Sequence, residues 1–573
     1  ELAYRLNEAV LIVHDRLLTW NGDDWFGVVA LFECLQNTCI VLRGFYDLTD
    51  VTESLLYHYL PVPSLVAFND NGSDDNNNNL SVVARTCLPY VYGQLLRGYT
   101  FDDIAREDRV RYAIEKIKIT TAHLVKAGNR GIRYDYVHFE ETDVRAYDVL
   151  IDGYFVLDYY NFMFGQNTIH LDNVHRSLML IGNNRGIVNP LLVSKSIGGH
   201  SEALSRLMDY PDGVYAADFN KILTIRNDSY FGSIVGQTFD VAYHSNKTGV
   251  PPCVSAMMRK IWPNQNRQHN NHRQQQYHHR HQSHRVKQHT AASLGLESGV
   301  LLFDDNNDYV DANTTPFVTK TKTSNSNNFY PSLAFTAIAT TANAGAMIMH
   351  ARFEELNLEF YSYTLYHRHG MFHLYDRIKS LKSDNSSNAR CVVLARDTRF
   401  EPKWMASANT LQSNGVVAKH HNIVNDKDLA DFRVRTFDDF NLQTVEQHID
   451  ADLLDAGVGV ACFSLSTRND GDDNTVVVRV PETNIIVITT NTICCVVDFP
   501  VVVLRDDDTR QITINNATNV SRTTHHLSFD RIATPLSLIS MSVDDLKFSQ
   551  RIERQQDRFV LHDVHGDEFK FNF

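Results

Sequence analysis

Tyr147-Asp148-Val149-Leu150-Ile151-Asp152-Gly153-Tyr154-Phe155-Val156-Leu157-Asp158-Tyr159-Tyr160-Asn161-Phe162-Met163-Phe164 is almost unbroken apolar and aromatic sequence. Such a run reads as a helix buried on most of its sides. Working outward, the same helical period recurs upstream. Leu2, Leu6, Val10, Val13 and Leu17 share one face at three- and four-residue spacing, and Tyr112, Ile114, Ile117, Thr121 and Leu124 approximate another. Residues 1–262 are therefore expected to form an α-helical domain, layered or toroidal, because many such helices follow in series.

Downstream the pattern breaks. Residues 263–292 are crowded with Gln, Asn, Arg and seven His, from Asn264 through His289. No ligand spacing is fixed there, so a solvated low-complexity insertion is the reading. Beyond it the period becomes alternating. Thr475-Val476-Val477-Val478-Arg479-Val480, Asn484-Ile485-Ile486-Val487-Ile488-Thr489 and Val501-Val502-Val503-Leu504 are β-branched runs separated by polar turns. The expected architecture is α+β and multidomain: an N-terminal (α/α) toroid, then an antiparallel β-sandwich over 293–480 and a small β domain over 481–573.

Charge narrows the function. Against 54 Lys and Arg stand 68 Asp and Glu, a formal net charge of −14 over 573 residues. That balance argues against a nucleic-acid partner held by bulk charge. An anionic polymer needs a locally basic cleft. The eight cysteines include no C-x-x-C pair, H-E-x-x-H is missing, and neither a metal nor a cofactor is expected. No apolar stretch reaches the roughly 18 to 20 residues that span a bilayer. A chain opening at Glu1 leaves room for a membrane anchor further upstream.

The strongest local signal is His138-Phe139-Glu140-Glu141-Thr142-Asp143-Val144-Arg145-Ala146-Tyr147-Asp148-Val149-Leu150-Ile151-Asp152-Gly153. It resembles the region of the hyaluronate and chondroitin AC lyases in which a catalytic His precedes a catalytic Tyr by nine residues and V-L-I-D-G follows, here with one residue fewer between Tyr147 and Val149. Trp20-Asn21-Gly22-Asp23-Asp24-Trp25 is similar to the family's sugar-stacking segment, Asn79-Leu80 is placed like its T-G-A-N motif, and Gly186 through Gly199 aligns with a segment ending R-G-R-x-I-x-R. Gly345 through Arg352 and Tyr363 through Asp376 resemble the β-domain of the baculovirus occlusion-derived-virion envelope group within that superfamily, which suggests a virion-envelope or extracellular setting. The likeness leaves out the His-rich insertion. Three Arg positions of the motif carry Val193, Lys195 and Gly199, and Asn76-Asn77-Asn78 stand where T-G-A is usual.

The resemblance implies a metal-independent lyase acting on an acidic, uronate-containing polysaccharide. Removing the C5 proton beside a carboxylate is disfavoured until that carboxylate is neutralised, a role for a neutral amide such as Asn79. Tyr147 is implied as the base that takes the C5 proton and returns one to the leaving oxygen. His138 assists at the same carbon, Lys195 or Arg145 supplies the cation that favours phenolate, and Trp20, Trp25 and Arg145 contact the substrate. Two rivals stay open: a glycosaminoglycan-binding envelope protein without activity, and a glycoside hydrolase on a helical toroid that uses Asp135, Glu140 or Glu141.

Overall fold

The computed structural model describes residues 1–17, 31–59, 85, 87–193, 200–245, 256–257, 259–264, 299–303, 328–381, 387–397, 405–407, 410–413, 416–426, 429, 431–437, 442–467, 474–519, 524–546, 552–555, 558–562 and 569–572. They divide into two compact units. The first takes Glu1–Arg133, His138–Thr142 and Tyr147–Ser177; the second takes Tyr134–Val137, Asp143–Ala146 and Leu178–Phe573.

The first unit is helical, with Leu2–Leu17, Leu31–Leu42, Thr49–Tyr59, Leu88–Leu96, Phe101–Ala105, Asp108–Ala122 and Asp148–Phe164 among its helices. Four of the five apolar residues expected on one face of the first helix enter a common core. Leu6, Val10, Val13 and Leu17 pack with Leu35, Cys39, Leu42, Leu48, Val51 and Leu96, whereas Leu2 is exposed. Each fully buried aliphatic side chain contributes about 1.5–3 kcal/mol, so this periodic stripe holds the helices together. Asp148–Phe164 buries Leu150, Ile151, Tyr154, Val156, Leu157, Tyr160 and Met163 and leaves Phe162 outside. It ends at Gly165, whose φ of 106° suits glycine at a helix C-terminus.

The second unit is built mainly of antiparallel sheets, and it starts earlier than the helical period suggests. Gly213–Ala217, Ile222–Arg226, Tyr230–Val235 and Arg259–Pro263 form a four-stranded sheet where helix is expected. The reason is visible in Ile222–Arg226 and Tyr230–Val235. Every residue of both strands is buried, so neither shows the alternation that marks a half-buried strand.

Two larger sheets follow. One has eight strands in the order Leu333–Thr340, Gly345–Phe353, Leu358–His367, Gly370–Ser380, Gly459–Ser466, Val416–His420, Thr410–Ser413, Met405–Ser407. The other has seven and contains all three β-branched runs. Their inward faces share one core: Ala337, Ile348, Tyr363, Leu365, Phe372 and Leu374 from the first meet Val477, Ile486, Ile488, Val497, Val502 and Leu504 from the second. Alternate residues of the second sheet, Val496, Val501, Val503, Ile512 and Ile514, pack against Ile532, Leu536 and Ile539 of and just beyond the Phe529–Leu538 helix. The two-residue period of a strand thus feeds two cores at once. Because Val476–Arg479 pairs with Ile486–Thr489, the division expected at 480/481 runs through a hydrogen-bonded hairpin.

Of the His-rich stretch, 265–292 lies outside the described residues. Among the described cysteines all seven are free thiols. No described helix is long and apolar enough to cross a membrane.

Candidate active site

His138 lies in a minimal hairpin of the first unit, in which Gly131–Ile132 pairs with His138–Phe139 and His138 stands opposite Ile132. The hairpin is held from both sides. Val125 N–H donates to Ile132 O at 2.8 Å. Arg133 is buried, donates from Nη2 to Thr142 O at 2.6 Å, and sets its guanidinium 3.2 Å from the centroid of the Phe139 ring. A cation on an aromatic face beside a short charged-to-neutral hydrogen bond fixes the residue next to His138.

Tyr147 occupies the N-cap of Asp148–Phe164, with φ −122° and ψ 1°. That position favours Ser, Thr, Asp or Asn, whose oxygens cap the first helical N–H groups. Tyr147 makes no such cap. Its ring is fully buried and its Oη accepts the backbone N–H of His138 at 3.2 Å. The two rings lie 5.8 Å apart at 58°, and the His138 side chain is buried as well. The nine-residue separation is thereby closed into contact, with an imidazole beside a phenol.

The segments that precede these two residues belong to the second unit, and both are tied to Asn220. Asp135 is buried; its Oδ2 accepts Asn220 N–H at 2.8 Å and its Oδ1 accepts Asn220 Nδ2 at 2.6 Å. Arg145 Nη1 donates to Asn220 O and to Gly236 O, both at 2.8 Å, and Nη2 donates to Gln237 Oε1 at 3.3 Å. One residue therefore pins the chain three positions before His138 and two positions before Tyr147. Arg145, expected to contact substrate or to supply a cation, is buried with its guanidinium directed at carbonyl oxygens, which a buried charge needs as acceptors. Between the pin and His138, Tyr136 adopts φ 66°, a conformation that costs a non-glycine residue free energy and concentrates at functional sites.

The structure thus brings His138 and Tyr147 together. Asn79, Lys195, Trp20 and Trp25 lie outside the described residues. Val193, standing where the lyase motif has its first Arg, is buried. Asn220 and Arg133 were not foreseen. Neither sits in a local motif, and the Asp135 to Asn220 tie joins residues 85 apart in sequence.

Residues 117–573 match the family of baculovirus E66 occlusion-derived virus envelope proteins. The occlusion-derived virus envelope protein E66 of Leucania separata nucleopolyhedrovirus is 48% identical, with the alignment covering 100% of this chain and 87% of the relative. The non-sulfated chondroitin lyase E66 of Autographa californica nuclear polyhedrosis virus is 28% identical over 89% of this chain and 70% of its own length. The crystal structure of the baculovirus envelope chondroitin lyase ODV-E66 superposes with a TM-score of 0.75 at 26% identity, covering 100% of this chain and 88% of that one. The chain belongs to the baculovirus E66 occlusion-derived virus envelope protein family.

Proposed function

We propose that this protein is a polysaccharide lyase that cleaves chondroitin- or hyaluronan-type glycosaminoglycan by β-elimination. The observation that carries the reading is the buried contact of Tyr147 Oη with His138, in the spacing the lyases use and in a chain similar to a non-sulfated chondroitin lyase. Tyr147, as phenolate, takes the C5 proton of the uronate. The C4–O bond breaks, a C4=C5 double bond forms, and the proton on Tyr147 passes to the departing glycosidic oxygen. Asn79 hydrogen-bonds the carboxylate and stabilises the enolate-like charge. Lys195 supplies a cation, though without the fork of the Arg that the motif usually has. Trp20 and Trp25 stack on sugar rings. Arg145 acts through position, because its guanidinium donates to Asn220, Gly236 and Gln237.

In this reading the helical unit is an (α/α) toroid and the protein works at the virion envelope. The hydrolase alternative loses one of its carboxylates, since both Asp135 oxygens accept hydrogen bonds from Asn220. A non-cleaving glycosaminoglycan binder is the second reading, favoured by Val193, Lys195 and Gly199 at the three Arg positions. Incubation with unsulfated chondroitin and hyaluronan, followed by the ultraviolet absorbance of unsaturated uronate, separates the two. Rising absorbance that Tyr147→Phe abolishes supports the lyase; saturable binding without absorbance supports the binder.

A further inference from the structure

The second unit contains a cavity of about 530 Å³ that none of the residues discussed so far lines. Phe335, His350 and Phe499 form its aromatic wall. His350 is stacked on Tyr361 with ring centroids 4.0 Å apart at 10°, and Phe499 meets both rings edge-on, at 5.8 Å and 5.1 Å. Arg377 lies 3.6 Å from the Tyr361 centroid, which places it on the face that His350 leaves open. Glu359 holds His350 Nε2 at 2.9 Å. The wall is therefore a fixed platform of packed rings.

Asn516, Asn519 and Arg531 supply the polar part of the lining. Asn516 Oδ1 is buried and has no hydrogen-bond partner among the described residues. An unsatisfied buried acceptor is destabilising, a cost that a bound donor removes. Asn519 bonds Phe239 through its backbone carbonyl, which leaves the amide available, and Arg531 is exposed on the Phe529–Leu538 helix. Among the described residues neither of these side chains has a hydrogen-bond partner, and Arg531 interacts with the Asp498 carboxylate without a direct ion pair.

Rigid aromatic walls with two amides and one guanidinium suit a sugar. Its C–H face packs on the rings, and its hydroxyls both donate to and accept from amides. The guanidinium fits a carboxylate in bidentate fashion. We propose that this cavity is a carbohydrate subsite that binds one acidic sugar residue of the polymer, with Asn516 and Asn519 on its hydroxyls and Arg531 on its carboxylate. The choice of an acidic sugar rests on the lyase reading above.

The test uses the full chain carrying Tyr147→Phe, so that binding is measured without turnover, and fluorescently labelled hyaluronan oligosaccharides as probe. Arg531→Ala, at an exposed helix position, is expected to weaken binding by about tenfold. Asn516→Ala is expected to weaken it several-fold. With a probe whose carboxylates have been reduced to alcohols, Arg531→Ala is expected to change nothing further. Equal affinity of the parent and both variants overturns the subsite, as does a parent that does not bind. If the unmodified chain forms no unsaturated uronate while Arg531→Ala still weakens binding, the lyase reading falls and the subsite stands. If product forms and binding is indifferent to both substitutions, the subsite falls and the lyase stands.

Discussion

Replacing Arg145 with Met removes the guanidinium while keeping a side chain of similar length to fill its buried channel. Two of the lost hydrogen bonds are short, at 2.8 Å to Asn220 O and Gly236 O, and the third, to Gln237 Oε1, is 3.3 Å. A hydrogen bond to a charged group contributes a net of about 1.5–3 kcal/mol, and relief of the buried charge offsets part of the loss of two. We expect about 3 kcal/mol of destabilisation in urea or thermal unfolding.

The kinetic signature separates two roles for the same residue. If Arg145 holds the backbone two residues before Tyr147, its loss lets the phenol drift, and a misplacement of about 1 Å costs on the order of a hundredfold in rate. The expected result in the unsaturated-uronate assay is a large fall in kcat with KM nearly unchanged. Arg145→Lys, which keeps the charge but not the fork, is expected to recover part of the stability and part of kcat. Asn220→Ala should be milder, about 1–2 kcal/mol, because the Nδ2 bond to Asp135 is lost while the Asn220 backbone still serves Asp135 and Arg145. A raised KM with intact kcat and a steep salt dependence would refute this reasoning, since that is how a cation touching an anionic polymer behaves.

Tyr147→Phe is expected to lower kcat by about 10²–10⁴-fold, and His138→Ala to reduce activity as well, both read from initial rates; near-normal rates in Tyr147→Phe remove the proposed base. His373 is fully buried, and burial first, then Arg259, holds its pKa well below the ordinary value. Its folded pKa is depressed, so its contribution to stability is complete above about pH 6.5, where the unfolded chain is also neutral, and falls as pH drops below that, by at most about 1.4 kcal/mol per pH unit. Urea midpoints measured down to pH 5 should decline, and His373→Gln should flatten that decline; an equal slope in the variant assigns the acid sensitivity to other groups. Gly370→Ala should destabilise the second unit by about 2–4 kcal/mol, because a Cβ there runs into the backbone of Leu465 and Ser466 on the paired strand; an unchanged melting temperature contradicts that packing.

How far the sequence could be read depended on the range over which each feature is determined. The stripe Leu6, Val10, Val13, Leu17 is local, and its helix appears as the spacing requires. The Val501–Asp506 strand is equally local, since β-branched residues say strand wherever they sit. Ile222–Arg226 fails the same test because a strand buried on both faces has no alternation to read, and its partners lie on either side of a turn. The β-branched runs on either side of 480 read as separate strands but say nothing of their partners, so a domain division at 480/481 looks open from the sequence, whereas pairing of Val477 with Ile488 makes the intervening residues a hairpin connection.

The site shows the same division more sharply. The nine-residue separation of His138 and Tyr147 is a signature that survives in sequence, and the contact between them forms inside one unit. What sets that contact is not in the signature. Between Arg133 and Tyr147 the chain leaves the first unit twice, at Tyr134–Val137 and Asp143–Ala146, and each excursion contains one residue bonded to Asn220. A tyrosine at an N-cap without a capping bond is a poor local choice, and a left-handed Tyr136 is another. Local rules are broken where a distant constraint has the larger free energy. Asp135, Arg145 and Asn220 supply it here: Asp135 accepts from the Asn220 backbone and amide, Arg145 donates to the Asn220 carbonyl as well as to Gly236 and Gln237, and loss of any of them leaves buried groups unpaired. A substitution in this triad should therefore damage catalysis in proportion to how many of its bonds it breaks, with Arg145→Met ahead of Asn220→Ala, even though none of the three needs to touch a sugar.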